Sequence, residues 1–237
     1  HNRCRRQRQM CIRDSFELAT KFNIPVVTTL MGRGAFPDGH ELCLEMPGMH
    51  GNYTATTSIQ NADLLIAIGV RFDDRVTANP SFFAQNAKVI HADIDPAEIG
   101  KVRDAQVPIV GDAKSVIKGL IEALGDEKLD TENWVSELKE MKTEFPLSYK
   151  QEDKGPLKVP YVLEELQKLT KEEAIVVAGV GQHQMWVSQH WNFTEPNTWL
   201  NSGGLGTMGY ALPAAIGAKT AYPDKLVLAL DGDGCFQ

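Results

Sequence analysis

The sequence lacks long apolar runs, paired cysteines and a basic surplus, and each absence excludes a class of protein. Its apolar stretches are short and interrupted by charge or glycine, so we predict no membrane span. Its four cysteines show no C-x-x-C pair or other paired spacing, which favours a reduced, cytoplasmic compartment. The net charge of −7 argues against nucleic-acid binding, because phosphate contacts need a basic face.

Short apolar segments alternate with helical ones through most of the 237 residues, of which 43% are hydrophobic. This alternation indicates an α/β protein whose parallel sheets are covered on both faces. We predict two doubly wound domains, over residues 16–125 and 159–237. Residues 126–158 are charged and read as a linker, with a helix over Thr131–Lys142. Among the strands, we expect the first at Ile24–Leu30.

The first fifteen residues differ in character from the rest. They carry five arginines and almost no apolar residue. Residues 5–15, RRQRQMCIRDS, resemble the in-frame translation of a common sequencing adapter. We therefore interpret residues 1–15 as an artefact of sequencing and leave them out of the prediction of the fold.

The chain closes on an apolar strand, Leu226–Leu230, followed by two acids that alternate with two glycines. In open α/β sheets, ligands bind beyond the carboxyl ends of the strands. Glycine lets the backbone approach a phosphate, and Mg²⁺ binds carboxylates together with phosphate oxygens. The segment Asp231–Gly234 is therefore a candidate Mg²⁺–phosphate site. A tight Asp-Gly turn is the ordinary alternative.

Two other strand ends are expected at the same edge. After AIVVAG, Gly181, Gln182 and His183 stand at the start of a helix, where backbone N–H groups attract anions. His183 could equally be a helix-cap or core histidine. After TWLNSG come glycines and Met208, whose flexible thioether suits packing against a ring. Close packing of a helix on the sheet is the alternative there.

Together, these three segments resemble the thiamin-diphosphate (ThDP) enzyme superfamily, whose cofactor motif opens with the GDG found at residues 232–234. The resemblance implies that Asp233 ligates Mg²⁺. It implies that Met208 wedges beneath the cofactor's thiazolium and that the Gly206 carbonyl accepts a hydrogen bond from its aminopyrimidine. The implied ThDP contacts are Gly181, Gln182, His183, Gly206, Met208, Gly232, Gly234 and Cys235.

Within that superfamily, the sequence resembles the acetolactate synthase catalytic subunits over essentially Phe16–Gln237. The stretches MPGMHGNYTATTSIQNADLLIAIGVRFDDRVT and HADIDPAEIGKVRDAQVPIVGD carry the resemblance in the first half, and GQHQMWVSQHW and SGGLGTMGY carry it in the second. The resemblance implies that the middle domain binds a structural FAD. The implied FAD contacts are His50, Gly51, Gly69, Val70, Arg71, Asp93, Asp95, Ile99 and Asp112. For Asp93 and Asp95, capping of a helix before Pro96 is the alternative.

Arg75 lies in the loop RFDDRVT. An arginine beside two aspartates is usually a surface ion pair that contributes little to stability. In the resembling family, the matching arginine lines the substrate channel, with Met49 and Asp74 nearby. We favour this second interpretation, because a guanidinium suits the carboxylate of a 2-ketoacid.

The resemblance implies an enzyme that decarboxylates pyruvate and joins the product to a second pyruvate or to 2-ketobutyrate, in branched-chain amino-acid biosynthesis. It implies a homodimer or homotetramer and a small regulatory subunit. The family's activating glutamate and the asparagine that completes its Mg²⁺ shell are absent, so we expect this fragment to be inactive alone. Another ThDP carboligase, such as glyoxylate carboligase, and a non-catalytic nucleotide-binding module remain alternatives. An NAD-dependent dehydrogenase is disfavoured, because no G-x-G-x-x-G motif follows a first strand.

Overall fold

The computed structural model describes residues 13–170 and 173–237. The described residues divide into one unit formed by residues 13–27 and Glu41–Pro146 and a second formed by Thr28–His40, residues 147–170 and residues 173–237. Each unit contains a three-stranded parallel sheet, which confirms the predicted fold class. No helix in the described ranges has the length and apolar character needed to cross a membrane.

The first unit is built on the sheet order β1-β2-β3. Its elements are α1 (residues 13–22), α2 (Tyr53–Asn61), β1 (Leu64–Ile68), α3 (Asp74–Thr77), β2 (Lys88–Asp93), β3 (Val107–Val110), α4 (Ala113–Leu124) and α5 (Glu132–Glu144). Most of the segment predicted to be an adapter, residues 1–12, lies outside the described residues, and residues 13–15 belong to α1. The middle strand packs its fully buried Val89 against Ile59, Phe72 and Phe83 in the core.

Helix α5 shows that part of the predicted linker is folded into the first unit. It buries Val135 and Leu138, and Leu138 packs with Ala55 of α2 and with Leu44. Lys139 also pairs with Glu41, at 2.6 Å. The helix predicted over Thr131–Lys142 is therefore confirmed, and these residues are not a free connection between domains.

The strand predicted at Ile24–Leu30 is wrong. Val26 forms a single bridge with Cys43, and Leu30–Gly32 is a short 3-10 helix. The run of β-prone residues does not continue as a strand because the chain leaves the first unit after Val27. The following residues, Thr28–His40, pack in the second unit and not in the middle domain predicted over residues 16–125.

The second unit has the sheet order β5-β4-β6. Its elements are α6 (Val159–Thr170), β4 (Ile175–Ala178), α7 (Gln182–His190), β5 (Trp199–Asn201), α8 (Ala211–Ala221), β6 (Val227–Leu230) and α9 (Asp233–Phe236). Central strand β4 is buried at every position. Val176 and Ala178 share a core with residues of α6 and α7, while Ile175 and Val177 pack against α8. Helices therefore cover both faces of this sheet, as a continuous apolar strand requires.

A buried ion pair holds the segment Thr28–His40 in the second unit. The guanidinium of Arg33 donates to both carboxylate oxygens of Asp38, each at 2.7 Å, and both side chains are almost completely buried. Asp38 also accepts a hydrogen bond from the Phe193 N–H at 2.6 Å, and Leu30 O accepts one from the Trp199 ring at 3.0 Å. The segment is therefore part of the core of this unit rather than a surface loop.

We expect Asp38→Ala to destabilise the second unit by about 3–5 kcal/mol, because it leaves the Arg33 charge buried without a partner. Glu165→Ala is the matched control. It removes the exposed Lys168–Glu165 pair and should cost about 0.5 kcal/mol or less. Urea unfolding followed by tryptophan fluorescence reports on this unit, since Trp186, Trp191 and Trp199 belong to it. Equal effects of the two substitutions would contradict the role assigned to the ion pair.

Candidate functional site

Three strand ends lie side by side at one edge of the sheet in the second unit. Ala178, the last residue of β4, is in register with Asn201, the last of β5, and with Leu230, the last of β6. The strands are parallel, so the loops that follow them all leave from the same edge. This is the edge at which open α/β sheets bind ligands. The convergence of these strand ends, predicted from the sequence, is confirmed.

The loop after β4 leads directly into α7. Gly181 is the N-cap residue, Gln182 and His183 form the first turn, and no side chain caps the helix. The first N–H groups of a helix lack acceptors within the helix and carry a partial positive charge. The side chain of Gln184 donates to Asn201 Oδ1 at 3.1 Å and ties the helix to the neighbouring strand. This end of the helix is therefore held in place and suited to an anion.

The loop after β5 is rich in glycine. Gly206 and Gly209 have φ of 64° and 77°, a conformation that favours glycine. Ser202 fixes the loop, since its carbonyl accepts from the Gly206 N–H at 3.0 Å and its hydroxyl accepts from the Thr207 N–H at 3.1 Å. Met208 follows and is 58% exposed. A Cβ added to Gly234 would lie 3.1 Å from Met208 Cε, so the loops after β5 and β6 meet.

The loop after β6 carries the DGDG segment. Gly232 is the N-cap residue of α9, and Asp233 is its first residue, with an exposed side chain. Cys235 is buried, and its thiol donates to Val180 O at 3.1 Å. The segment is thus more than an isolated Asp-Gly turn, because it contacts the loops that follow β4 and β5.

Asp231 belongs to the predicted Asp231–Gly234 segment, but the sequence assigned it no role of its own. Its carboxylate is about 10% exposed, and neither oxygen has a hydrogen-bond partner among the described residues. His183 Nε2, also buried and without a partner there, lies 3.8 Å from Asp231 Oδ1. A Cβ on Gly179 would lie 1.8 Å from that same oxygen. The signals in the sequence were its place in the DGDG segment and its position directly after the apolar strand β6.

At this edge, the carboxylate of Asp233 suits a hard cation that is also bound by a phosphate. Its carboxylate is exposed at the mouth of the loops, and Mg²⁺ uses one or two carboxylates and completes its shell with phosphate oxygens and water. The ligand atoms of His183, Asp231 and Cys235 lie within 4.8 Å of one another and form a second, buried cluster. Imidazole and thiol are softer ligands that do not suit Mg²⁺.

The first unit presents a similar edge, where β1, β2 and β3 end together. Ile68 is in register with Ala92, and Asp93 with Val110. Gly69 follows β1 with φ of 64°, and a Cβ added there would meet no atom within 4 Å. Open space therefore lies beside this backbone, as close approach of a ligand requires.

The acids predicted to contact FAD make local hydrogen bonds. Asp93 Oδ1 accepts from the Asp95 N–H at 2.8 Å, and Asp95 Oδ1 accepts from the Ala97 N–H at 2.9 Å. Asp112 caps α4 by accepting from the Lys114 N–H at 3.1 Å. Both acids thus stabilise a turn, and no helix follows Asp95, so the helix-capping alternative considered for Asp93 and Asp95 is wrong. Their contact with a ribose stays a prediction.

The structure brings Met49, Asp74 and Arg75 together. The Met49 N–H donates to Arg75 O at 2.8 Å, and the guanidinium of Arg75 donates to Asp74 Oδ2 at 2.7 Å. The side chains of Arg75 and Asp74 are 65% and 72% exposed. An exposed pair of this kind agrees with an ordinary surface ion pair, so the role of Arg75 in a substrate channel stays a prediction.

Asp73, which the sequence analysis did not select, organises this loop. It is the N-cap residue of α3 and accepts from the Arg75 N–H at 3.0 Å, and its side chain also pairs with Arg71. The pKa of Asp73 is lowered, chiefly by the Arg75 N–H and further by a hydrogen bond with the Asp74 side chain and the charges of Arg71 and Arg75, while partial burial opposes the shift. Its stabilisation is therefore present at neutral pH and lost as the pH falls through the lowered pKa.

Comparison with known proteins identifies two matching family models. The thiamine pyrophosphate enzyme central domain matches residues 7–120, and the C-terminal TPP binding domain of thiamine pyrophosphate enzymes matches residues 179–237. The first range begins inside the segment interpreted as an adapter, and that interpretation stays a prediction. The second range contains most of the three-loop edge of the second unit.

Curated relatives cover most of the chain. The acetolactate synthase large subunit of Corynebacterium glutamicum is 57% identical over 217 residues, which are 90% of this chain and 35% of the relative. Acetolactate synthase of Mycobacterium leprae is 56% identical over 93% of this chain and 36% of the relative. The chloroplastic acetolactate synthase 1 of Nicotiana tabacum is 49% identical over 90% and 32%. The chain thus spans about a third of the length of these relatives.

We expect Gly179→Ala to destabilise the second unit by about 1–3 kcal/mol, because the new methyl group would overlap the Asp231 carboxylate. Gly204→Ala is the control, since a Cβ there meets no atom within 4 Å. The measurement is urea unfolding followed by tryptophan fluorescence. Equal midpoints for the two variants would show that Asp231 does not occupy the space beside Gly179.

Proposed function

Since this chain belongs to the thiamine pyrophosphate enzyme family, we propose that it forms part of an acetolactate synthase catalytic subunit. The observation that carries the proposal is the common edge at which β4, β5 and β6 end. Three loops leave that edge, and they supply an uncapped helix start, an exposed carboxylate and close backbone approach. Such an edge suits a diphosphate bound through a divalent cation.

Two of these loops hold the diphosphate end of ThDP. Gly181, Gln182 and His183 face it from the start of α7, where backbone N–H groups and polar side chains can donate to phosphate oxygens. Gly232, Gly234 and Cys235 belong to the opposite loop, where Asp233 binds the Mg²⁺ that neutralises the diphosphate. When bound, ThDP would supply a nucleophilic carbon and an electron sink, so that a 2-ketoacid can release CO₂, and the protein supplies binding and orientation.

The glycine-rich loop after β5 orients the remainder of the cofactor. Met208 stands next to Gly234 and presents an exposed, flexible thioether that can pack beneath a flat ring. The carbonyl of Gly206, which has a left-handed φ of 64° in the same loop, is assigned the hydrogen bond from the aminopyrimidine. Both residues act on the conformation of the cofactor rather than on the substrate.

The first unit is assigned a structural FAD. The aligned ends of its strands and the open space beside Gly69 support this assignment. The guanidinium of Arg71 suits the flavin diphosphate, because it can pair with phosphate oxygens in a fork. The other residues assigned to FAD are His50, Gly51, Val70, Asp93, Asp95, Ile99 and Asp112.

The substrates proposed are pyruvate and 2-ketobutyrate. The guanidinium of Arg75 is 65% exposed and can receive their carboxylates, with Met49 and Asp74 beside it. A hydrophobic rim supports assembly as a homodimer or homotetramer, because Leu205 and Phe236 are 95% and 70% exposed next to the cofactor loops. A small regulatory subunit and a cytoplasmic location complete the proposal.

A chimera tests the activity. The matching stretch of the Corynebacterium glutamicum large subunit is replaced by residues 16–237, and acetolactate formation from pyruvate is measured with ThDP, Mg²⁺ and FAD present. We expect the chimera to be active and to lose activity roughly a hundredfold with Asp233→Ala, because metal-dependent binding contributes several kcal/mol.

Asp224→Ala is the matched control, since Asp224 is an exposed aspartate of the same unit outside the three loops. It should leave the activity of the chimera unchanged. An active chimera that tolerates Asp233→Ala would contradict the metal site. A folded chimera that uses glyoxylate but not pyruvate would contradict the proposed substrates.

A further inference from the structure

We propose that Asp231 is a positioning residue that fixes the ring of His183 at the edge where the three loops meet. The inference rests on the proposed function in one respect, because the fixed ring is assigned to the diphosphate of ThDP. The contact itself involves only residues of this chain, so it can be tested without the cofactor.

The first observation is that Asp231 is buried without a partner. Its carboxylate is about 10% exposed, and both oxygens lack a hydrogen bond among the described residues. A buried carboxylate of this kind is costly, and native proteins rarely leave such groups unpaired. The carboxylate nevertheless fits here because residue 179 is a glycine. A Cβ atom at that position would overlap Asp231 Oδ1.

The second observation is that His183 presents a matching unpartnered atom. Its Nε2 is buried, has no hydrogen bond in the described part of the chain, and lies 3.8 Å from Asp231 Oδ1. A shift of about 1 Å would bring the two atoms to the distance of a charge-assisted hydrogen bond. Each atom could therefore supply the hydrogen-bond partner that the other lacks.

The glycines of the two loops make room for this pair. A Cβ on Gly181 would lie 3.1 Å from His183 Nδ1, and one on Gly232 would lie 3.4 Å from its Cε1. The ring is therefore enclosed by two glycines, while Gly179 clears the carboxylate. These glycines were predicted to let the backbone approach a phosphate. They also leave room for the side chains of Asp231 and His183.

The contact would set which ring nitrogen carries hydrogen. A carboxylate can only accept, so Nε2 must be the donor toward Asp231. Nδ1 then remains on the side of Gly181 and Gly232, the loops assigned to the diphosphate. A carboxylate that orients a binding histidine through its other nitrogen is a recurrent arrangement in proteins.

A metal ion bound by His183, Asp231 and Cys235 is the competing explanation for the unpaired atoms. The thiol of Cys235 already donates to Val180 O at 3.1 Å, which favours the pair over a three-ligand site. Zinc binding separates the two explanations. Stoichiometric Zn²⁺ binding by the wild-type chain that is lost in both Cys235→Ser and Asp231→Leu would overturn the proposal.

The test measures the ring nitrogens of His183 directly. Long-range ¹H–¹⁵N NMR spectra of the labelled, cofactor-free chain are recorded at neutral pH, and His183→Gln identifies the signals. We expect Nε2 to carry hydrogen in the wild type and in Asp231→Asn, whose amide oxygen still accepts. Asp231→Leu fills a similar volume without an acceptor and should release the ring to a mixture of tautomers.

The matched control is Asp224→Leu, which removes an exposed aspartate of the same unit and should leave the His183 signals unchanged. An Nε2 without hydrogen in the wild-type chain would overturn the proposal, even if Asp231→Leu failed to fold. Identical His183 signals in the wild type and in folded Asp231→Leu would overturn it as well.

Binding of ThDP with Mg²⁺, measured by titration calorimetry, provides the second readout. We expect Asp231→Leu to weaken binding about tenfold, the effect typical of losing a carboxylate that orients a ligating histidine, and Asp231→Asn to weaken it much less. In combination with His183→Gln, Asp231→Leu should add no further loss, and a fully additive loss would overturn the proposal. A wild-type chain with the expected tautomer but no affinity for ThDP would contradict the proposed function and leave the positioning contact standing.

Discussion

Central strand β4 hydrogen-bonds to a neighbour on each side, and its register places the ends of β5 and β6 level with its own. Every residue of β4 is buried, so the strand cannot slip along its neighbours without breaking two packed faces. The loops that follow the three strands consequently begin side by side at one edge. The candidate site is a product of this register, and the proposed cofactor and cation depend on it.

The glycines at this edge have two roles, and the structure distinguishes them. Gly206 supplies a left-handed backbone conformation, whereas Gly179 supplies space beside Asp231. From the sequence, these glycines predict a phosphate-binding surface. In the structure they also surround the Asp231 carboxylate and the His183 ring. Glycines can serve both purposes because they have no side chain. The backbone can then approach a ligand on one side and another part of the protein on the other.

The parallel sheets and the convergence of strand ends were predictable, because alternating apolar strands and helices determine them. The path of the chain after Val27 was not predictable. Its β-prone residues favour a strand, but the buried contact between Arg33 and Asp38 draws the following segment into the second unit. The burial of Asp231 and the exposure of Asp233 were not predictable either, because they follow from tertiary contacts that the alternating motif does not reveal.

Hydrogen–deuterium exchange of the chain, with and without ThDP and Mg²⁺, tests the central claim most directly. The account predicts that amides in three separate segments, 179–184, 202–209 and 231–236, become protected together, and only when both ThDP and Mg²⁺ are present. Amides in 69–73 and 93–97, at the strand ends of the first unit, should remain unchanged. Protection confined to one of the three segments, or equal protection without Mg²⁺, would contradict a single cation-bridged diphosphate site.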